Sequence, residues 1–269
     1  MSQRIALLGG GKMGEALLSG MIRAGRKATD LTVSERHPAR ADELRTRYGV
    51  ETPSNLEAVE GAQVILIAVK PQDMAALLAE VGKAVRPDQL VISVAAGITC
   101  AFLERHLGAD VPVIRVMSNT AVFVDLAMSA ISPGTHATAE HLKVAESMLS
   151  PVGEVIRVPE SQQDAVTALS GSGPAYFFYL VEAMTDAGIL LGLPREVAHQ
   201  LIVQTAIGAA TMLRDSGEHP VKLREAVMSP AGTTIAAIRE MENHGVRAAL
   251  LAALEAARNR SRELASGIG

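Results

Sequence analysis

The chain has 269 residues, 48% of them hydrophobic, enough for a substantial core and long enough for two domains. A formal net charge of -4 with no basic run excludes the phosphate-neutralising surface of a nucleic-acid binder or an anionic-membrane binder. One cysteine, Cys100, excludes an internal disulfide or a cysteine-cluster metal site, and it predicts a buried thiol in a reducing compartment.

The chain opens on an apolar run, Arg4 to Leu8, that breaks at Gly9, Gly11 and Gly14 and resumes with helix-favouring residues to Ala24. This predicts a strand, a tight turn and a helix opening on it, the setting of a dinucleotide-binding glycine loop. Gly9 would make the turn, Gly11 would let the backbone approach a pyrophosphate, and Gly14 would let helix and strand pack closely. The helix N-terminus, at Lys12 and Met13, would add N–H donors. Asp30 to Ser34 reads as a second strand. At its end a carboxylate favours a free ribose 2′-hydroxyl and an arginine accommodates a 2′-phosphate; Glu35 and Arg36 offer both, leaving NADH and NADPH open.

A helix follows from His37 to Tyr48, and Asn55 begins the short segment that runs through Glu60 and stops before Gly61. Val64 to Val69 is apolar at every position, as a central parallel strand covered on both faces requires. It runs into Lys70-Pro71-Gln72 at the carboxyl edge of the sheet, although Lys70 reads equally as an exposed terminal charge. A helix from Asp73 to Val85, a strand from Leu90 to Val94 ending in Ala95-Ala96-Gly97-Ile98-Thr99, and a strand from Val111 to Val116 ending in Met117-Ser118-Asn119-Thr120 complete one edge. Three strand ends with small or polar loops build a cleft. Met128 to Ser132, Ala137 to Leu149 and Glu154 to Val158 add a strand, a helix and a strand.

Past Pro159 long helical periodicity takes over, which divides the chain into an α/β dinucleotide-binding domain of Rossmann type, 1–159, and an all-helical domain, 160–269. Gln162 to Leu169 is interrupted by Ser170-Gly171-Ser172-Gly173-Pro174. The helix that follows carries Tyr176, Phe177, Phe178 and Tyr179 and is expected to be a core helix or a subunit-contact helix. Helices at 195–214, 220–227 and 246–264 are predicted. Between the last two, Ser229 to Thr234 leads into a helix at Ile235. That loop sets hydroxyls and N–H groups at a helix start, a receptor for a carboxylate or an ordinary capped turn.

The seven histidines lack metal-ligand spacing, and no GxSxG or HExxH pattern occurs, so neither metal chemistry nor hydrolysis has candidates. Dinucleotide binding with a polar cleft points instead to hydride transfer. The glycine loop, Ala68-Val69-Lys70-Pro71-Gln72, Ala95 to Thr99, Ser170 to Tyr176 and Ser229-Pro230-Ala231-Gly232-Thr233-Thr234 together resemble the pyrroline-5-carboxylate reductase family over essentially the whole length.

The resemblance implies reduction of 1-pyrroline-5-carboxylate to L-proline by NADPH or NADH, the last step of proline biosynthesis. It implies that Ser229, Gly232, Thr233 and Thr234 hold the substrate carboxylate, with the Thr234 hydroxyl on the ring nitrogen; Thr234 and Ser229 are thus the catalytic candidates. It implies cofactor contacts from Gly9, Gly11, Lys12, Met13, Gly14, Glu35, Arg36, Asn55, Ala68, Val69, Lys70, Pro71, Ala96 and Gly97. It also implies an intertwined homodimer gathered into a larger homo-oligomer. With no basic-then-apolar leader and no membrane-length segment, a cytoplasmic, membrane-free enzyme acting on a small molecule is expected.

The chain departs from the family pattern at Met228, Ala231, Ser118, Ala121 and Glu35; Ser118 and Ala121 predict a looser strand-end loop, and Glu35 departs from a phosphate-binding pattern typical of NADPH preference. Related readings are a reductase of a six-membered cyclic imine, a dinucleotide sensor without catalysis, and a two-domain β-hydroxyacid dehydrogenase. The dehydrogenase needs a lysine that Ser170 to Tyr179 lacks.

Overall fold

The computed structural model describes residues 3–268, which form two compact units. One runs to Ser172 and takes in the chain again from Ala257; the other is Gly173–Ala256.

The first unit is built on a seven-stranded sheet in the order β2-β1-β3-β4-β5-β6-β7. The strands are β1 (Ile5–Leu8), β2 (Leu31–Ser34), β3 (Val64–Ile67), β4 (Leu90–Ser93), β5 (Val113–Met117), β6 (Ala127–Pro133) and β7 (Gly153–Arg157). All pairings are parallel except β5 with β6. The helices are α1 (Lys12–Arg23), α2 (Pro38–Tyr48), α3 (Asn55–Gly61), α4 (Met74–Val81), α5 (Cys100–His106), α6 (Ala139–Leu149) and the short α7 (Gln163–Val166).

The unbroken apolar strands follow from burial on both faces. Along β1 and β3, Ile5, Leu7, Val64 and Leu66 join the core on the side of Leu17 and Leu18 of α1 and Leu44 of α2. Their alternate neighbours Ala6, Leu8, Ile65 and Ile67 join the core with Val59 of α3, Leu77 and Leu78 of α4, and Leu103 of α5. Period-two geometry thus gives each strand two dry faces. The order reverses between β1 and β3, so the loops after these strands flank the crevice where open α/β sheets take ligands.

The second unit comprises α8 (Gly173–Leu190), α9 (Arg195–Ser216), α10 (Pro220–Ala226), α11 (Thr233–Asn243) and the first part of α12 (Val246–Ile268). Among the described residues of this unit only Gly173, Thr185 and Ala198 are buried. Phe177, Phe178 and Tyr179 are 65%, 69% and 70% exposed, so α8 is not the core helix that its aromatics allow within one chain. Three consecutive apolar residues point in three directions around a helix, and no single packing face inside the chain covers them. The last turns of α12 return to the first unit, where the Ser261 hydroxyl donates to Asp164 at 2.7 Å.

Candidate active site

The glycine loop shows why its spacing matters. Gly9 has φ +104, and a Cβ on it would meet the Ala68 backbone at 2.9 Å; a Cβ on Gly14 would stand 2.1 Å from the Gly9 carbonyl oxygen. Each glycine removes a clash between the β1 turn and either β3 or α1. A Cβ on Gly11 would meet nothing within 4 Å, so that position opens outward. Gly11 caps α1 without any side-chain hydrogen bond, which leaves the first N–H groups of the helix available to an anion. A diphosphate fits this arrangement. Lys12 is exposed at the helix start, whereas Met13 is half-buried and packs on the core.

At the end of β2 the two charged candidates behave differently. The Glu35 carboxylate accepts the Gly10 N–H at 3.0 Å and the His37 N–H at 2.9 Å. Arg36 is exposed and pairs with Asp73 at 3.3 Å. The Asn55 amide, at the start of α3, donates to Glu80 of α4 at 2.8 Å. After β3, the Ala68 N–H donates to the Leu8 carbonyl at 2.8 Å, Val69 packs on the core, and Lys70 is exposed before the turn at Pro71. After β4, Ala96 is exposed and Gly97 has φ +77. Apart from Asn55, which opens α3 after α2, these residues follow strand ends of the first unit.

The loop after β5 is tied down rather than loosened, contrary to the expectation from Ser118 and Ala121. The Ser129 hydroxyl donates to that of buried Ser118 at 2.9 Å, and Asn119 accepts the Ala121 N–H at 3.2 Å. Asn119 also donates to the Ser170 carbonyl at 3.2 Å. Thr167–Gly171 is a widened helical turn, and a Cβ on Gly171 would come within 2.3 Å of the Met117 side chain. The small-residue motif thus serves close packing of this turn on the end of β5.

In the second unit, Ser229-Pro230-Ala231-Gly232 forms a tight turn closed by the Gly232 N–H on the Ser229 carbonyl at 3.0 Å. Pro230 presets the second position, and Ala231 takes the positive φ, +58, that the third position of such a turn requires. α11 then starts at Thr233, two residues earlier than its apolar pattern suggests, with Gly232 as cap and no side-chain cap. The Gly232 amide, expected among the carboxylate donors, is already engaged in closing the turn. The Thr233 and Thr234 amides occupy the first turn of α11, where no intrahelical acceptor exists. Ser229 and Thr233 are exposed and Thr234 is half-buried, and a Cβ on Gly232 would fall 2.3 Å from the Ser229 hydroxyl oxygen.

Sequence reasoning missed α5, whose N-cap Thr99 accepts the Phe102 N–H at 3.1 Å. Cys100 is buried, as expected, and burial, reinforced by Glu160, pushes its thiol up to about 12. Sequence reasoning also missed Arg40, whose guanidinium reaches the Gly10 carbonyl at 2.9 Å from one helix away.

Comparison with known proteins accounts for both units. Residues 160–264 match the family model described as pyrroline-5-carboxylate reductase dimerisation, and residues 4–97 match NADP oxidoreductase, coenzyme F420-dependent. A pyrroline-5-carboxylate reductase of Mycobacterium tuberculosis is 45% identical, with 97% of this chain and 96% of that protein covered. The structure of a pyrroline-5-carboxylate reductase from Coxiella burnetii matches with a TM-score of 0.93 at 35% identity, over 98% of this chain and 99% of that one. The Plasmodium falciparum pyrroline carboxylate reductase, solved with NADP bound, matches at 0.86 and 26% identity over 98% of both chains. Identity at this level over the whole length makes this chain a member of the pyrroline-5-carboxylate reductase family.

Proposed function

We propose that the protein reduces 1-pyrroline-5-carboxylate to L-proline with NAD(P)H. The observation that carries the chemistry is the start of α11, which has no side-chain cap and offers the Thr233 and Thr234 amides, with the nearby Ser229 hydroxyl, as donors for a carboxylate. Helix-terminal donors suit an anionic substrate on a protein of negative net charge.

A reduced nicotinamide held by the first unit would supply the hydride for the carbon of the C=N bond. The imine is already protonated on nitrogen, so adding hydride completes the amine and no strong acid is needed. The Thr234 hydroxyl accepts from that N–H and fixes the ring, while Ser229, Thr233 and Thr234 fix the carboxylate; orientation is the contribution of this loop. Gly232 serves by lacking a side chain, which leaves the Ser229 hydroxyl its place. On the first unit, Gly9, Gly11, Lys12, Met13 and Gly14 would take the diphosphate, Glu35, Arg36 and Asn55 the adenosine half, and Ala68 to Pro71 with Ala96 and Gly97 the nicotinamide half. Residues 1–159 and 160–269 are the corresponding domains in this reading.

The family supports a homo-oligomer through its dimerisation region. The larger assembly we propose is supported by Leu190 and Leu191, 89% and 85% exposed at the end of α8. A cytoplasmic location is supported by the buried free thiol of Cys100. No described helix is long and apolar enough to cross a membrane.

Steady-state kinetics of Ser229→Ala and Thr234→Ala test the site. Each is expected to lower kcat/KM for the imine by roughly 10- to 100-fold, about 1–3 kcal/mol for a lost polar contact. Wild-type values in both variants would remove this loop from the site.

A further inference from the structure

The peptide of Gly10 is gripped at both ends. Its N–H donates to Glu35 Oε2 at 3.0 Å, and its carbonyl accepts from Arg40 Nε at 2.9 Å. Neither partner is free to drift. The other carboxylate oxygen of Glu35 accepts the His37 N–H at 2.9 Å, which locks the acid to the entry of α2. Arg40 Nη2 pairs with Glu15 of α1, and Nη1 pairs with Glu43 at 2.7 Å. Glu15 in turn accepts from Arg47 at 2.7 Å and from the Tyr48 hydroxyl at 2.8 Å.

We propose that Arg40 and Glu35 are positioning residues for the cofactor diphosphate, holding the Gly10 peptide so that Gly11 and the first N–H groups of α1 face outward before the cofactor arrives. Three features support this. Gly11 accepts the first helical bond of α1, from the Glu15 N–H at 2.8 Å, so the orientation of Gly10 is passed directly to the start of the helix. Gly10 itself is buried, and a Cβ there would meet Leu44 at 2.5 Å, so the peptide is seated against α2 as well as hydrogen-bonded to it. The Arg40 side chain is 23% exposed, and its guanidinium joins α1, α2 and the loop through one planar fork, which a lysine cannot reproduce. The carboxylate of Glu15 stays below its ordinary range because the bonds from Arg40, Tyr48 and Arg47 outweigh the upward push of burial, so the acid anchor remains charged.

The clamp also changes what Glu35 does. Both its carboxylate oxygens serve backbone N–H groups, so its first task is the loop rather than the ribose. The clamp therefore acts on NADH and NADPH alike, because the diphosphate is common to both.

This inference rests on NAD(P)H being the cofactor, and direct titration of NADH and NADPH by nicotinamide fluorescence into wild type, Arg40→Lys and Arg40→Met separates the two claims. Wild type that binds neither dinucleotide fails the functional reading itself. The clamp predicts that Arg40→Met raises Kd for both dinucleotides by at least about tenfold and to a similar degree, with Arg40→Lys intermediate and kcat at saturation changed less than about twofold. Hydrogen exchange in the cofactor-free protein gives a second readout: the Gly10 amide, bonded to Glu35, should exchange at least about tenfold faster in Arg40→Met and in Glu35→Ala while amides of β3 and β4 keep their protection. Unchanged Kd and exchange in the folded variants would overturn the proposal. Loss confined to NADPH would also overturn it, by making Arg40 a direct ligand of the 2′-phosphate.

Discussion

A Cβ on Gly14 would stand 2.1 Å from the carbonyl oxygen of Gly9. Backbone meets backbone there, so no rotamer change relieves the clash. Gly14→Ala is expected to push the glycine loop off α1, to destabilise the fold by at least the roughly 1–3 kcal/mol of ordinary overpacking with a lowered Tm, and to raise the Kd for NADH and NADPH more than about tenfold. Fluorescence titration alongside thermal denaturation checks this. A variant with wild-type affinity would mean that the loop has room the structure denies it.

Ala231 holds φ +58 in the turn before α11, a conformation that opposes its Cβ. Ala231→Gly should stabilise the folded protein by roughly 0.5–1 kcal/mol, the relief of left-handed strain less the added freedom of the unfolded chain. Denaturant unfolding reads this directly, and KM for the imine should stay the same or fall. A destabilised variant would show that the alanine methyl makes a packing contribution larger than the strain.

Cys100 carries the clearest pH dependence. Its thiol is raised from 9.0 to about 12, first by burial and then by Glu160. The folded state therefore holds a proton that the unfolded chain releases earlier, and the stability tied to this is complete below pH 9.0 and lost as pH rises towards about 12. The stability of wild type relative to Cys100→Ala should fall across that window and stay flat below it. In the native protein at neutral pH the thiol should resist alkylation, becoming reactive only with unfolding.

The apolar surface of α8 predicts assembly. Phe178 is 69% exposed within the chain, and a glutamate there would place a charge in the dimer contact. Light scattering of Phe178→Glu should show monomer at micromolar concentrations where wild type is dimeric or larger, with the dissociation constant raised at least about tenfold, or 1.4 kcal/mol. An unchanged mass would place the contact on another face.

The glycine loop was legible because its strand, turn and helix are contiguous in sequence: Gly9 turns at φ +104 and Gly14 seats α1 on the Gly9 carbonyl, although the Ala68 backbone that also crowds Gly9 comes from far along the chain. The double-faced burial of β3 was legible for a similar reason, since Val64 to Ile67 has no polar position to show water. Other features were hidden because they depend on residues brought together from far along the chain. Arg40 meets Gly10, and Asn119 meets Ser170, only after the sheet and its helices pack. α5 escaped because a seven-residue helix offers too few turns for a period to emerge, although Thr99 was a cap signal. The aromatics of α8 look like core in sequence because hydrophobicity alone does not distinguish an intrachain core from a surface that another subunit covers.

The most direct test is the reaction itself. Purified protein is mixed with 1-pyrroline-5-carboxylate and either NADH or NADPH, the loss of reduced-nicotinamide absorbance is followed, and the proline formed is quantified. The account predicts cofactor oxidation matched one for one by proline, with at least one of the two dinucleotides. Tight dinucleotide binding with no oxidation and no proline from either would contradict it and would leave a binding protein on a reductase fold.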